Sequence, residues 1–159
     1  MPQSVLYRLP DGLSFAQAAM TEPVSVAFHA VNLIPSEIND SAIVIGCGMI
    51  GLFVVQALRI KGCGTIIAID LDQSRLEMAR KFGADHALPS DDPEILEKVR
   101  ALTHGRGADI AIEVVGITPT IEFAINAVRK GGKIGLVGNL SPKIELPLQA
   151  VVTRQLTIY

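Results

Sequence analysis

Aromatic residues, cysteine and histidine are scarce in this 159-residue chain. It contains no tryptophan, only 4% aromatic residues, two cysteines and three histidines. Because 49% of its residues are nonetheless hydrophobic, we expect an aliphatic core, which suits parallel strands covered by helices on both faces. At this length we expect one domain, residues 1–159, that buries about two-thirds of the surface of its unfolded chain.

Excess charge and long apolar runs are also missing. The formal net charge is −2, so there is no electrostatic reason to expect binding to nucleic acid or to an anionic membrane. No apolar stretch reaches the length of a membrane span, and the first residues lack the charged region and apolar segment of a signal peptide. We therefore expect a cytoplasmic protein in which Cys47 and Cys63 are reduced packing residues.

The few residues suited to catalysis form no recognisable constellation. His29, His86 and His104 are not paired with other ligand types at metal-binding spacings. No nucleophile is placed beside a base in an evident motif. The sequence therefore predicts no catalytic residue within this chain.

What the chain does contain is a strand, a glycine-rich turn, a helix and a second strand that ends in an acid. Residues 41–45 are a short apolar run, followed by Gly46-Cys47-Gly48-Met49-Ile50-Gly51. Residues 52–60 are mostly apolar and helical in pattern, and residues 65–69 form the next buried strand. Asp70 stands nineteen residues beyond Gly51.

Each part of this unit has a separate role in holding a dinucleotide. Gly46 permits the tight turn, Gly48 lets a pyrophosphate approach the backbone, and Gly51 lets the helix pack closely on the strand. The positive end of the helix dipole faces the phosphates, and Asp70 can accept hydrogen bonds from the adenosine ribose. The alternative is a tight strand-to-helix turn in another doubly wound sheet, but the flanking strands and the acid favour a dinucleotide.

The remaining pattern alternates strands with helices. A capping box at Ser14 opens a helix that we expect to run to about Leu33 with a break near Pro23. Further helices are predicted at residues 73–82, 91–104 and 118–128, and further strands at residues 87–88, 109–114, 133–138 and 156–159. This order predicts an α/β fold with a doubly wound, parallel, six-stranded sheet.

Ligands of such sheets bind at the carboxyl ends of the strands, near the change in strand order. That rule selects the Gly46 turn, Asp70, Val115-Gly116 after the fourth strand and Gly138-Asn139 after the fifth. Small residues there allow backbone contact with the nicotinamide half, although Gly116 and Gly138 are also compatible with ordinary turns. Arg75 is placed either over the adenine or ribose or as a solvated helix arginine.

Several motifs in this order resemble the coenzyme domain of zinc-dependent medium-chain dehydrogenases, in the branch of sorbitol, threonine and galactitol-phosphate dehydrogenases. The resemblance covers nearly the whole chain. Besides the Gly46 fingerprint, the motifs are Leu9-Pro10-Asp11-Gly12-Leu13-Ser14, Thr21-Glu22-Pro23-Val24-Ser25-Val26-Ala27-Phe28-His29, Asp70-Leu71-Asp72, Phe82-Gly83-Ala84-Asp85, Gly107-Ala108-Asp109, Glu113-Val114-Val115-Gly116, Gly131-Gly132 and Val137-Gly138.

The resemblance implies a Rossmann fold and NAD-dependent oxidation of a secondary alcohol or polyol. It implies adenosine-ribose contacts from Asp70 and Arg75, and a path toward the nicotinamide lined by Ile50, Val115 and Val137. It places Glu22 at or beside the catalytic zinc, where the alternative is an ordinary helix acid before Pro23. The expected cofactor-binding residues are Gly46, Gly48, Met49, Ile50, Gly51, Asp70, Leu71, Arg75, Val115, Gly116, Val137, Gly138 and Asn139.

The family's catalytic domain, with its cysteine and histidine zinc ligands, has no counterpart in these residues. We therefore expect a fragment of a longer two-domain enzyme, with zinc bound only in the parent and with this chain inactive alone. In that parent, zinc would polarise the alcohol oxygen. The alternative function is a non-catalytic NAD-sensing module; a methyltransferase is disfavoured because the fingerprint with Asp70 suits a pyrophosphate better.

Residues 143–146 alternate polar and apolar side chains between Pro142 and Pro147. This pattern suits either an edge strand or an ordinary surface loop. In the resembled family the matching segment pairs with its twofold mate and joins two sheets. The resemblance therefore favours an edge strand and a homodimer.

Overall fold

The computed structural model describes residues 2–159, and a single parallel sheet organises them. Its six strands lie in the order β3-β2-β1-β4-β5-β6. This confirms the predicted doubly wound α/β fold. The strands are β1 (Ser41–Ile45), β2 (Thr65–Asp70), β3 (His86–Pro89), β4 (Ala108–Glu113), β5 (Val128–Leu136) and β6 (Thr157–Ile158).

Helices connect the strands and cover both faces of the sheet. None of them within residues 2–159 is long and apolar enough to cross a membrane. A short 3-10 turn, Gln3–Val5, precedes them. The helices are α1 (Phe15–Ala19), α2 (Thr21–Leu33), α3 (Met49–Ile60), α4 (Gln73–Lys81), α5 (Ile95–Leu102), α6 (Thr118–Ala127) and α7 (Leu148–Thr153).

Two aliphatic layers form the core, one on each face of the sheet. On one face, side chains of β1, β2 and β4 pack against α2, α3 and α4. On the other face, the alternate side chains of these strands pack against α5 and α6. Because strands β1, β2 and β4 are covered on both faces, their side chains are almost entirely buried, which explains their nearly continuous apolar sequence.

The amino-terminal helix begins as predicted and breaks earlier than predicted. The Ser14 side chain accepts the Gln17 N–H and the Gln17 side chain accepts the Ser14 N–H, which forms the capping box. The break falls at Met20, between α1 and α2. Pro23 lies in the first turn of α2, where its missing N–H costs no helical hydrogen bond.

Residues 143–146 are not a strand, so the prediction of an edge strand is wrong in this structure. Pro142 and Pro147 flank the segment and offer no N–H for pairing. The N–H of Glu145 is donated to the Thr118 hydroxyl at 2.9 Å instead of to a neighbouring strand. The chain then enters α7, a helix that the sequence pattern did not indicate.

The two cysteines flank α3, with Cys47 just before its first turn and Cys63 just after its last. Both are free and buried, as expected of packing residues. Burial, followed by the nearby Asp70 charge, raises the pKa of Cys47 to about 12. Burial also raises the pKa of Cys63. Both therefore remain protonated thiols at neutral pH.

Candidate functional site

A cavity of about 340 Å³ opens at the carboxyl ends of the strands, where β1 lies between β2 and β4. The strand order reverses at this point, which is where doubly wound sheets bind ligands. Most of the predicted cofactor residues meet here. The cavity is lined by Gly46, Gly48, Ile50, Asp70, Arg75, Val114, Val115, Val137, Gly138, Asn139 and Leu140.

The glycine-rich turn at the cavity floor leaves no room for side chains at two of its three glycines. Gly46 has a φ of 95°, and a Cβ there would lie 2.7 Å from the Val115 side chain. A Cβ on Gly51 would lie 1.9 Å from the carbonyl oxygen of Gly46. These contacts agree with the predicted roles of a tight turn and of close helix packing.

Gly48 differs, because a Cβ placed on it would meet no atom within 4 Å. It is the N-cap of α3 and makes no side-chain cap hydrogen bond. The N–H groups of Met49, Ile50 and Gly51 follow it and have no carbonyl partner inside the helix. The turn thus leaves open space in front of helix-end donors, which fits a pyrophosphate.

Asp70 forms one side of the cavity and also holds the glycine-rich turn in place. Its side chain is 8% exposed. Its Oδ2 accepts the N–H of Cys47 at 2.6 Å, and its Oδ1 accepts the N–H of Asp72 at 2.9 Å. A carboxylate offers about four acceptor positions, so acceptor capacity remains for ribose hydroxyls. The bond to Cys47 was not predicted.

Arg75 lies beside Asp70 at the start of α4. One guanidinium nitrogen, Nη1, is 3.8 Å from Asp70 Oδ2, and the side chain is more than half exposed. Arg75 therefore lines the cavity and is free to cover a ligand bound next to Asp70. This placement is compatible with the predicted contact with the adenine or ribose, which stays a prediction.

The opposite wall consists of two loops, residues 114–117 after β4 and residues 137–141 after β5, which we call the paired loops. Backbone hydrogen bonds from Leu140 to Val115 (3.2 Å) and from Ser141 to Gly116 (2.9 Å) join them. A Cβ on Gly138 would lie 2.2 Å from the nitrogen of Gly116. Gly116 and Gly138 are therefore more than turn residues after their strands. Because they have no side chains, the backbones of the two loops can come into contact.

Glu113 anchors the paired loops, and the sequence analysis did not identify it as a site residue. Its side chain is fully buried at the end of β4. The carboxylate accepts hydrogen bonds from the N–H groups of Val115 and Gly116 and from the Thr120 hydroxyl. An acid at the end of an otherwise apolar buried strand was the available signal, because such a group requires specific hydrogen-bond donors.

The remaining predicted residues lie around this cavity or apart from it. Gly51 and Gly116 are buried behind its walls, whereas Met49 and Leu71 are exposed and line adjoining cavities. Glu22 is exposed in the first turn of α2. Within residues 2–159, no group of three or more histidine, cysteine, aspartate or glutamate side chains could hold a metal ion. Glu22 therefore stays a prediction.

Comparison with known proteins shows which family the chain is similar to. The family model described as zinc-binding dehydrogenase matches residues 50–159. Sorbitol dehydrogenase of Bacillus subtilis (strain 168) is 36% identical over 161 aligned positions, which cover 100% of this chain and 45% of that protein. The chain thus spans less than half the length of this relative. These matches give no support to the alternative of an NAD-sensing module.

Solved structures show the same fold. 2R,3R-butanediol dehydrogenase from Bacillus subtilis has a TM-score of 0.85 and 32% identity, covering 96% of this chain and 44% of that chain. A chain from Sinorhizobium meliloti 1021 whose structure holds NADP has a TM-score of 0.87 and 24% identity, covering 96% of this chain and 46% of that one. At that identity, the second similarity concerns the fold alone.

Proposed function

This chain belongs to the zinc-binding dehydrogenase family, and from that membership we propose that it is the coenzyme-binding part of an enzyme that transfers hydride from a secondary alcohol or polyol to NAD. The observation that carries the coenzyme proposal is the open space at Gly48 between Asp70 and the paired loops. When bound, NAD supplies the hydride acceptor. The chain itself supplies binding and orientation.

In this proposal, each element of the cavity binds one part of the coenzyme. The first N–H groups of α3 bind the pyrophosphate above Gly48. On the β2 side, Asp70 accepts hydrogen bonds from the adenosine ribose while Arg75 covers the adenosine. The nicotinamide half then extends to the β4 and β5 side, between Ile50 and the paired loops.

The chain should bind NAD more tightly than NADP. The buried Asp70 carboxylate accepts hydrogen bonds from a ribose diol but repels a 2′-phosphate. We expect the dissociation constant for NADP to exceed that for NAD by about tenfold or more. Calorimetric titration of the chain with each coenzyme measures both constants.

A matched pair of small ligands tests whether the preference for NAD over NADP arises at the adenosine ribose. AMP and adenosine 2′,5′-bisphosphate differ only in the 2′-phosphate, so their affinities should differ in the same direction as those of NAD and NADP. NADP binding as tight as NAD binding would contradict the assignment of Asp70 to the ribose. Absence of binding by NAD, NADP and AMP alike would contradict the proposed function.

Zinc belongs to the proposed parent enzyme, in which it would polarise the alcohol oxygen. Glu22 is the residue that we propose lies at or beside that metal. The substrate would be a small alcohol or polyol, and we do not expect these 159 residues alone to turn it over. The cytoplasm stays the expected location, since two free buried cysteines fit a reducing compartment.

We also propose a homodimer through the segment that follows the paired loops. This segment carries exposed Ile144, Leu146, Leu148 and Val152, and exposed apolar side chains concentrated in this way are typical of an interface. The unmodified chain should sediment as a dimer at micromolar concentration. Leu148→Glu should shift it toward monomer, because a charge would then be buried at the contact.

Ile60→Glu is the matched control for this dimer. Ile60 is 73% exposed at the end of α3, compared with 63% for Leu148. Its replacement by glutamate is a similar change from an exposed aliphatic side chain to a charged one, but at a position outside the proposed interface. We expect Ile60→Glu to leave the sedimentation coefficient unchanged. A monomer for the unmodified chain at high concentration would rule the dimer out.

A further inference from the structure

Glu113 presents a buried carboxylate to three different donor groups. Its Oε1 lies 2.8 Å from the nitrogens of Val115 and Gly116 and from the Thr120 hydroxyl oxygen. Its Oε2 lies 3.0 Å from the Gly116 nitrogen. The side chain is fully buried, so bulk water does not compete for these bonds, and a donor that loses its acceptor here is left buried and unsatisfied.

The main chain of the same residue binds the other loop. The Glu113 carbonyl oxygen accepts the N–H of Val137 at 2.9 Å and the N–H of Gly138 at 3.1 Å. The side chain therefore fixes residues 115 and 116, and the carbonyl fixes residues 137 and 138. Both of the paired loops depend on this one residue for their position at the cavity wall.

We propose that Glu113 is a positioning residue for the nicotinamide half of the coenzyme, acting through the paired loops. This inference rests on the proposed function, which places that half between Ile50 and those loops. Val115, Val137 and Gly138 line the cavity, so a displacement of the loops changes the shape of this subsite directly.

Asp70 and Arg75, the two side chains assigned to the adenosine, are held by other parts of the fold. Asp70 ends β2 and is bonded to Cys47 and Asp72. Arg75 is on α4, which is capped by Asp72. Because these bonds join β1, β2 and α4, loss of the Glu113 carboxylate should leave Asp70 and Arg75 in place.

Glutamine at position 113 has nearly the same size as glutamate, but its amide nitrogen is a donor where the carboxylate has an acceptor oxygen. If its oxygen takes the place of Oε1, its amide nitrogen faces the N–H of Gly116, and two donors oppose each other. If the amide is reversed, its nitrogen faces the Val115 and Gly116 N–H groups and the Thr120 hydroxyl. Either orientation leaves a buried N–H without an acceptor and moves the loop.

Calorimetric titration of Glu113→Gln with NAD and with AMP tests the proposal. We expect the dissociation constant for NAD to rise about tenfold or more, and that for AMP to change by less than about twofold. Asp109→Asn is the matched control, because Asp109 is a buried carboxylate at the opposite end of β4, bonded to Ser41 and Arg129. That variant should lose stability and keep the NAD affinity of the unmodified chain.

The ratio of the NAD affinity to the AMP affinity distinguishes a positioning role of Glu113 from a merely structural one. An equal loss of NAD and AMP binding, or unchanged NAD binding, would overturn the role of Glu113. If Glu113→Gln fails to fold, Thr120→Val decides in its place. This variant removes the hydroxyl that lies within hydrogen-bond distance of both Glu113 Oε1 and the Ile117 carbonyl oxygen, and so removes a link between the carboxylate and the same loop. A selective loss of NAD affinity of about threefold supports the proposal, whereas no selective loss overturns it. If the unmodified chain binds neither ligand, the proposed function itself fails.

Discussion

Gly51→Ala should destabilise the fold by about 3 kcal/mol or more, as severe overpacking does. The added Cβ would lie 1.9 Å from the carbonyl oxygen of Gly46 and 2.9 Å from its carbonyl carbon. Because both atoms are backbone, no side-chain rotation relieves the contact, and α3 must move away from the turn after β1. Urea denaturation followed by circular dichroism measures the change.

Gly48→Ala is the matched control within the same turn. A Cβ at Gly48 meets nothing within 4 Å, so the free energy of unfolding should change by less than about 1 kcal/mol. The methyl group instead occupies the space assigned to the pyrophosphate, and the dissociation constant for NAD should rise about tenfold or more. Equal stability of the two variants would contradict the packing role of Gly51. Unchanged NAD binding by Gly48→Ala would contradict the pyrophosphate site.

Asp70→Asn should weaken NAD binding by about tenfold to a hundredfold and reduce the preference for NAD over NADP. The asparagine side chain would keep one acceptor oxygen, so the N–H of either Cys47 or Asp72 loses its partner, and the turn that carries Gly48 loosens. Loss of the negative charge also removes the repulsion of a 2′-phosphate. Titration with both coenzymes measures the two effects separately.

Asp72→Asn is the control for this variant. Asp72 is exposed, and its side chain caps α4 by accepting the N–H groups of Ser74 and Arg75. Asparagine caps helices as well as aspartate does, so both affinities should stay close to those of the unmodified chain. A ratio of NAD to NADP affinity that is the same for Asp70→Asn as for the unmodified chain would show that Asp70 does not discriminate between the riboses.

The β1–α3–β2 unit could be predicted from sequence because its signals are local. The buried strands Ser41–Ile45 and Thr65–Asp70, the glycine spacing and the terminal acid all lie within thirty residues of each other. Apolar periodicity and glycine conformation depend on neighbours in the chain. The strand order and the placement of Gly116 and Gly138 at the carboxyl ends of their strands then follow from general rules for doubly wound sheets. The direct contact between these two glycines does not follow from those rules and is seen only in the structure.

The features that could not be predicted depend on tertiary contacts. The bond from the Cys47 N–H to Asp70 exists only because β1 and β2 pair in one register. β5 begins at Val128 rather than at residue 133, because Val128 pairs with Ala108 across a register shift that the polar and glycine-rich residues 129–132 conceal. Residues 143–146 alternate as a strand does, but no neighbouring strand within residues 2–159 is placed to receive them.

Because Cys47 and Cys63 lie at opposite ends of α3, local opening of the structure can be measured separately at each end of this helix. Each thiol is buried and protonated at neutral pH, so an alkylating reagent reaches it only when the surrounding structure opens. The modification rate at each cysteine therefore reports how often its own end of the helix opens. One end lies under the coenzyme cavity and the other lies at the opposite edge of the sheet, so the chain carries a paired set of intrinsic probes for local unfolding.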